Sequence, residues 1–187
     1  RTEETRLQKY CKIFGATSEF ERDLAIAADN FIIEKKYGKT IIAGYPWFGV
    51  RARDQFLAMP GCCLSIDDVE AFEATMKTAE RALRNFMKEG KLDTMIKEIE
   101  LPDVPLWAIW AIQHYAREIG VKACYEKYGR LVGDILTYII KGGHPNLFVH
   151  DNGLLYSNGR DRIISWMNST IDGNPVNPRS GYLVELN

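Results

Sequence analysis

Leu106-Trp107-Ala108-Ile109-Trp110-Ala111-Ile112 runs apolar without a break and holds two of the four tryptophans in the 187-residue chain. It predicts a helix over 103–119 that is apolar nearly all round, and such a helix is enclosed on most sides. The flanking segments have a different pattern. After Gly120, segment 121–141 places Cys124, Tyr128, Leu131, Ile135 and Ile139 on one face, and Gly142-Gly143 ends it. A joint as tight as Gly120 favours antiparallel neighbours. Upstream, 66–89 carries the stripe Val69, Phe72, Met76, Ala79 and Leu83, with Ser65-x-x-Asp68 as a capping start and Gly90 as the stop. Phe20, Leu24, Ala27 and Phe31 give 18–36 the same helical spacing, and a shorter helix is expected over 52–64, with Pro60-Gly61 disturbing its course. One-sided helices around an almost wholly apolar one predict an all-α fold in two layers. Either a solenoid or a toroid of helical hairpins satisfies that pattern.

Long connections over 37–51, 90–103 and 142–182 are rich in aromatic and charged residues. Asn152-Gly153 and Asn158-Gly159 are turn signals, so a small β-hairpin is expected in the last of these loops. Lys and Arg number 24 against 25 Asp and Glu, which leaves no electrostatic case for a nucleic-acid partner. No apolar run reaches the roughly 18 residues of a membrane span, and no signal peptide is evident. The chain opens on Arg1-Thr2-Glu3 without an initiator Met, so upstream targeting stays open, and Leu183-Val184-Glu185-Leu186-Asn187 has the form of a first helical turn. Cys11, Cys62, Cys63 and Cys124 show no C-x-x-C pattern and suit free thiols in a reducing, cytoplasmic setting.

Three stretches could carry chemistry. Gly44-Tyr45-Pro46-Trp47-Phe48-Gly49 precedes Arg53-Asp54. Aromatic faces stack on the C–H faces of sugars, and charged groups bind hydroxyls more strongly than neutral ones do. A core plug with a structural ion pair fits the same residues. Pro102-Asp103-Val104-Pro105 places an acid at the mouth of the apolar helix, where Asp103 can be an N-cap with Pro105 in the first turn, can face a pocket, or can do both. The third stretch, Ile164-Ser165-Trp166-Met167-Asn168 and then Asp172 to Arg179, is polar, aromatic and turn-rich. His114, His144 and His150 lack metal-ligand spacing, and no nucleophile elbow or phosphate-binding loop occurs. No metal and no cofactor is therefore expected.

Taken in order, these stretches resemble the amylo-α-1,6-glucosidase domain of glycogen debranching enzymes. Ala43-Gly44-Tyr45-Pro46-Trp47-Phe48 and Ala52-Arg53-Asp54-Gln55-Phe56-Leu57-Ala58-Met59-Pro60-Gly61 come first. Asp103-Val104-Pro105-Leu106-Trp107, Asp151-Asn152-Gly153-Leu154-Leu155 and Ser165-Trp166-Met167-Asn168 follow, and Pro175 to Asn187 closes the series. Each motif alone is weak, whereas the ordered set is specific. The resemblance implies an (α/α)6 toroid, of which this chain is a single domain spanning 1–187 and supplying about half, from the N-terminal side. Half a toroid would expose the Trp107–Trp110 face unless a missing C-terminal half or another copy covers it.

By the same resemblance, Arg53 and Asp54 grip hydroxyls of a terminal glucose. Trp47, Phe48 and Trp166 are walls, and Asp103 is a pocket acid and the alternative catalytic acid. Tyr45, Trp107, Arg179 and Glu185 lie on the same motifs and join the substrate-binding set. The implied partner is an α-glucan or oligosaccharide, and the implied reaction is inverting hydrolysis of an α-1,6-linked glucose. That reaction needs two carboxyl groups roughly 6.5–9.5 Å apart, one of them protonated near neutral pH. Two positions depart from the family pattern. Asn168 stands where the family's T-W-M-D-A has the expected general acid, and Arg51-Ala52 replaces a Trp-Gly pair ahead of Arg53-Asp54. An amide donates hydrogen bonds but cannot supply a catalytic proton. The family's base lies downstream of Asn187, so the chain alone is expected to be inactive. Two other readings remain: a carbohydrate-binding or catalytically degenerate relative, and a helical-repeat module for protein interaction.

Overall fold

A computed structural model describes residues 18–36 and 38–187, together with Thr5 and Gln8. Cys11 lies outside the described residues, while Cys62 and Cys124 are free thiols. Among the described residues five α-helices dominate: α1 Glu19–Phe31, α2 Ala52–Cys62, α3 Val69–Glu89, α4 Val104–Ile119 and α5 Val121–Ile140. The chain is all-α, part of a toroid of helical hairpins, with only two-stranded β pairs in its loops.

Local chemistry explains most boundaries. Ser18 caps α1 by accepting from the Glu21 N–H at 3.2 Å. The helix does not run on to residue 36 as its spacing suggested. It stops at Phe31, and the β-branched pair Ile32-Ile33 begins β1 (Ile32–Lys35), which pairs antiparallel with β2 (Gly38–Ile41). At α3 the cap is Asp68 itself, accepting from the Ala71 N–H at 3.0 Å, while Ser65 sits in a 3-10 turn, Leu64–Ile66. Gly90, at φ 65°, closes α3 by donating to the Phe86 carbonyl at 2.8 Å. Helix α2 passes through Pro60 and ends at Cys62, short of the expected 64.

Helix α2 lies against α4, and α4 turns at Gly120 to pack on α5. The core face of α5 is Cys124, Tyr128, Leu131, Ile135 and Ile139, as its periodicity required. Helix α3 buries Phe72, Met76, Ala79 and Leu83 and packs on β2. It reaches α5 through two ion pairs, Arg84–Asp134 and Lys127–Glu73. Gly38 permits the α3–β2 contact. It has φ +123°, and a Cβ there would sit 2.6 Å from Thr78 Oγ1.

Helix α4 is not enclosed all round. Val104, Ala108, Ala111, Ile112 and Tyr115 are buried, but Leu106, Trp107, Ile109 and Trp110 stay half-buried. The apolar run therefore has one packed side and one partly open side, as an incomplete ring requires.

The hairpin at Asn152-Gly153 is present as β5 (Phe148–Val149) and β6 (Leu155–Tyr156). Asn152 Oδ1 accepts from the Leu154 N–H at 3.0 Å. Three pairings were not anticipated. These are β1–β2, a parallel link of β3 (Val50–Arg51) to β4 (Ile96–Lys97), and a hairpin of β7 (Thr170–Ile171) with β8 (Asn174–Pro175). In the last, Asp172 and Gly173 both have positive φ, at 51° and 79°, which suits a tight hairpin turn. The final residues form a 3-10 turn, Val184–Leu186. Among the described residues no helix is long and apolar enough to cross a membrane.

Candidate functional site

Helix α2 begins where the parallel β3–β4 link fixes the backbone, so Arg53 and Asp54 occupy its first turn. Arg53 points inward and is only 4% exposed. Its guanidinium forks onto Asp103, with Nε to Oδ2 at 2.5 Å and Nη2 to Oδ1 at 3.1 Å. Trp107 Nε1–H donates to the same Oδ2 at 3.1 Å. Asp103 occupies the N-cap position of α4, yet its side chain makes no cap hydrogen bond. The expected capping role is thus replaced by an ion pair that ties α2 to α4, and Pro105 does fall in the first turn. Both oxygens of Asp103 are engaged as acceptors, and the residue is 1% exposed. Asp54, one residue on, is half-buried and makes no hydrogen bond or ion pair among the described residues.

The aromatic loop closes on itself through a Gly44–Phe48 bridge and an Ala43 N–H bond to the Gly49 carbonyl at 2.9 Å. Its Tyr45-Pro46 peptide is cis. Tyr45 is anchored: its hydroxyl donates to the Asn30 carbonyl at 2.8 Å, and its ring lies 6.1 Å from Phe31. Phe48 lies beneath the Arg51 guanidinium at 5.7 Å, and Arg51 also pairs with Glu98 at 3.1 Å. The arginine that departs from the family's Trp therefore covers an aromatic ring. Trp47 has no ring partner among the described residues and is 78% exposed.

A second polar group lies near the C-terminal end of the chain. Glu185 accepts from Ser165 Oγ at 2.7 Å and from Arg179 Nη2 at 2.6 Å. Arg179 also reaches Met167 Sδ at 3.5 Å, and its buried Nε–H has no partner among the described residues. Burial works to raise the Glu185 pKa, but the bonds from Ser165 and Arg179 outweigh it and hold the carboxyl below its ordinary value. Glu185 is thus ionised at neutral pH, suited to gripping Arg179 rather than to donating a proton. Trp166 is 56% exposed. Asn168 is half-buried; its backbone N–H donates to the Trp166 carbonyl at 2.9 Å, and its amide side chain makes no hydrogen bond among the described residues.

The structure therefore joins Arg53, Asp103 and Trp107, and separately joins Arg179 and Glu185. No hydrogen bond, ion pair or ring contact among the described residues links those two groups to each other or to Tyr45, Trp47 and Phe48. Sequence reasoning missed several supporting residues. Asn187 clamps the chain end: its amide accepts from the Leu155 N–H at 2.7 Å and donates to the Leu155 and Leu183 carbonyls at 3.0 and 2.9 Å. His150 stacks on Tyr156 at 4.7 Å and bonds the Tyr182 hydroxyl at 2.7 Å. The bridge between Ser157 and Gly181 brings that trio together, and no local pattern announces it. Among the described residues, no group of His, Cys, Asp and Glu could hold a metal ion.

Comparison with curated proteins and with solved structures gives no match for the chain. A family model does match: residues 26–187 fit the one described as amylo-alpha-1,6-glucosidase, a span that takes in α2 to α5, the aromatic loop and both polar groups. The chain therefore belongs to the amylo-alpha-1,6-glucosidase family.

Proposed function

We propose that this chain forms one side of an α-glucan site of the glycogen-debranching type. In the complete site an α-1,6-linked glucose is hydrolysed with inversion. Family membership across residues 26–187 is the observation that carries this reading. The side chains support it. Trp47 and Trp166 are exposed aromatic faces on loops, as a hexose wall needs to be, and Asp54 is a carboxylate with no hydrogen-bond or ion-pair partner among the described residues. In this reading Asp54 and Trp47 contact the sugar, while Tyr45 and Phe48 shape the loop. The buried Arg53–Asp103 pair, with Trp107, holds the first turn of α2 in position, and Arg179 with Glu185 braces the Trp166 segment. The free thiols fit a cytoplasmic setting.

Hydrolysis needs a proton donor, and the amide at Asn168 cannot serve as one. The chain alone then binds sugar without turning it over. Titrating maltooligosaccharides and a limit dextrin against the chain, with free glucose measured alongside, tests both halves of the idea. Binding without glucose release is expected, and Trp47→Ala should weaken binding by about 1–3 kcal/mol if the ring is a wall. Rapid glucose release by the unaltered chain would overturn the assignment at Asn168. The amide also favours a second reading, a carbohydrate-binding relative that has lost catalysis. For that relative the intact protein binds α-glucan without hydrolysing it, and Asn168→Asp recovers some turnover when a base-bearing segment is supplied.

A further inference from the structure

Arg51 ends β3 and stands at the N-cap position of α2, between Phe48 of the aromatic loop and Asp54 in the first helical turn. Its guanidinium is fixed from two sides. Phe48 lies beneath it at 5.7 Å, and Nη1 pairs with Glu98 Oε1 at 3.1 Å. Nothing among the described residues takes up the Nε or Nη2 hydrogens, and the side chain is 31% exposed. Those two nitrogens form the edge of a guanidinium whose N–H bonds run parallel, the edge that grips two oxygens at once. On Arg53 the same edge is filled by Asp103. Beside the aromatic loop, the arginine with its fork free is therefore Arg51.

Glu98 holds Arg51 at a cost. It follows β4 directly and has φ 62°, a left-handed conformation that strains a residue with a side chain. Its Oε2 is buried without a partner among the described residues, so that oxygen has lost its water with nothing in exchange. Against this stands one partly exposed ion pair, and such pairs stabilise little. Strain that local contacts do not repay is a mark of functional sites. What the pair supplies is orientation. A guanidinium stacked on a ring and tied at one nitrogen keeps its free edge in one direction, so a ligand has no long side chain to immobilise.

We infer that Arg51 is a sugar-binding residue of this chain, its free fork taking two neighbouring hydroxyls of a hexose, and that Glu98 is the residue that positions it. The inference rests on the glucan reading above and names an arginine grip that Arg53, turned to Asp103, does not provide. A neutral polyol suits the place better than an anionic sugar. Glu98 cancels the charge of Arg51, and Asp54 is a carboxylate without a hydrogen-bond or ion-pair partner among the described residues. An anion would meet both carboxylates, whereas a hydroxyl group accepts from the fork and can donate to a carboxylate.

Calorimetric titration of maltotriose into the 187-residue chain tests the inference. Arg51→Ala and Arg51→Lys should each weaken binding by about tenfold, because lysine keeps the charge but not the fork. Glu98→Gly should weaken it by about threefold or more, while the urea midpoint stays level or rises because glycine accepts φ 62°. A residue that only braced the fold would lower the midpoint. In an Arg51→Ala background, Glu98→Gly should change affinity no further. Unchanged affinity in Arg51→Ala, full affinity in Arg51→Lys, or a loss from Glu98→Gly that persists without Arg51 would each overturn the assignment. Tighter binding of glucuronate than of glucose by the parent chain would overturn the choice of a neutral ligand. If Trp47→Ala weakens binding and Arg51→Ala does not, the glucan reading survives and this inference falls. A parent chain that binds no maltotriose at millimolar sugar overturns both.

Discussion

Asp103 shows how a single side chain can satisfy a motif while serving another purpose. Its position invites a capping role, but its carboxylate is turned to Arg53, 50 positions away in sequence, and to Trp107. With 1% and 4% exposure, the pair has left water almost entirely. Removing one partner of such a pair strands a buried charge, which destabilises by about 3–5 kcal/mol. Asp103→Ala should therefore lower stability by that amount in urea denaturation, and Arg53→Ala by a similar amount. The double variant should fall well short of the sum, because no stranded charge remains. Additive losses would mean that the pair is not coupled. Asp54→Asn, by contrast, removes a half-buried carboxylate with no partner among the described residues, so it should change stability by no more than about 0.5 kcal/mol while weakening sugar binding.

At the scale of elements, Gly38 gives the sharpest expectation. Its φ of +123° disfavours any side chain, and a Cβ would collide with Thr78 at 2.6 Å. Gly38→Ala should destabilise by about 1–3 kcal/mol and should loosen β2 from α3, seen as faster amide exchange over Thr40 and Ile41. Faster exchange confined to α1 would argue against it. The same element marks where the sequence stops being informative. Helices α3 and α5 are legible because one buried stripe repeats over many turns and a glycine follows each, Gly90 as the cap of α3 and Gly142 one residue past the Lys141 cap of α5. Helix α1 was overextended because Phe31, Ile32 and Ile33 continue an apolar signal after the backbone has changed to a strand. The two-residue strands Val50–Arg51 and Ile96–Lys97 pair residues 46 positions apart with no periodicity to reveal it. The candidate site follows the same rule. Residue types and motif order pointed to sugar chemistry, but the partner of each charged group was fixed by tertiary packing alone.

At the scale of the whole molecule, His144 holds several elements together and gives stability a dependence on pH. It is fully buried, with its ring near Phe86 of α3 and Tyr138 of α5. One nitrogen, Nε2, donates to the Glu100 carbonyl at 2.7 Å ahead of α4, and Nδ1 accepts from the Asn146 N–H at 3.1 Å beyond α5. That arrangement requires the neutral ring. Burial lowers the His144 pKa below 6.5, and the opposing pull of the Glu100 carbonyl and of Asp103 and Glu100 does not cancel it. The unfolded chain then takes up a proton that the folded chain refuses. Stability contributed by His144 is complete above about pH 6.5 and declines as pH falls from there toward the lower folded value. Glu73 and Glu185 act in a separate window. Their folded pKa values lie below 4.5, so their contribution is full above that pH and is lost only as pH falls through the folded values. Urea midpoints measured from pH 7.5 down to 5 should therefore fall below pH 6.5 in the parent chain. They should stay nearly level in His144→Gln, which has no ring to protonate and a lower midpoint throughout. An equal slope in both proteins would place the titrating group elsewhere and leave His144 as packing alone.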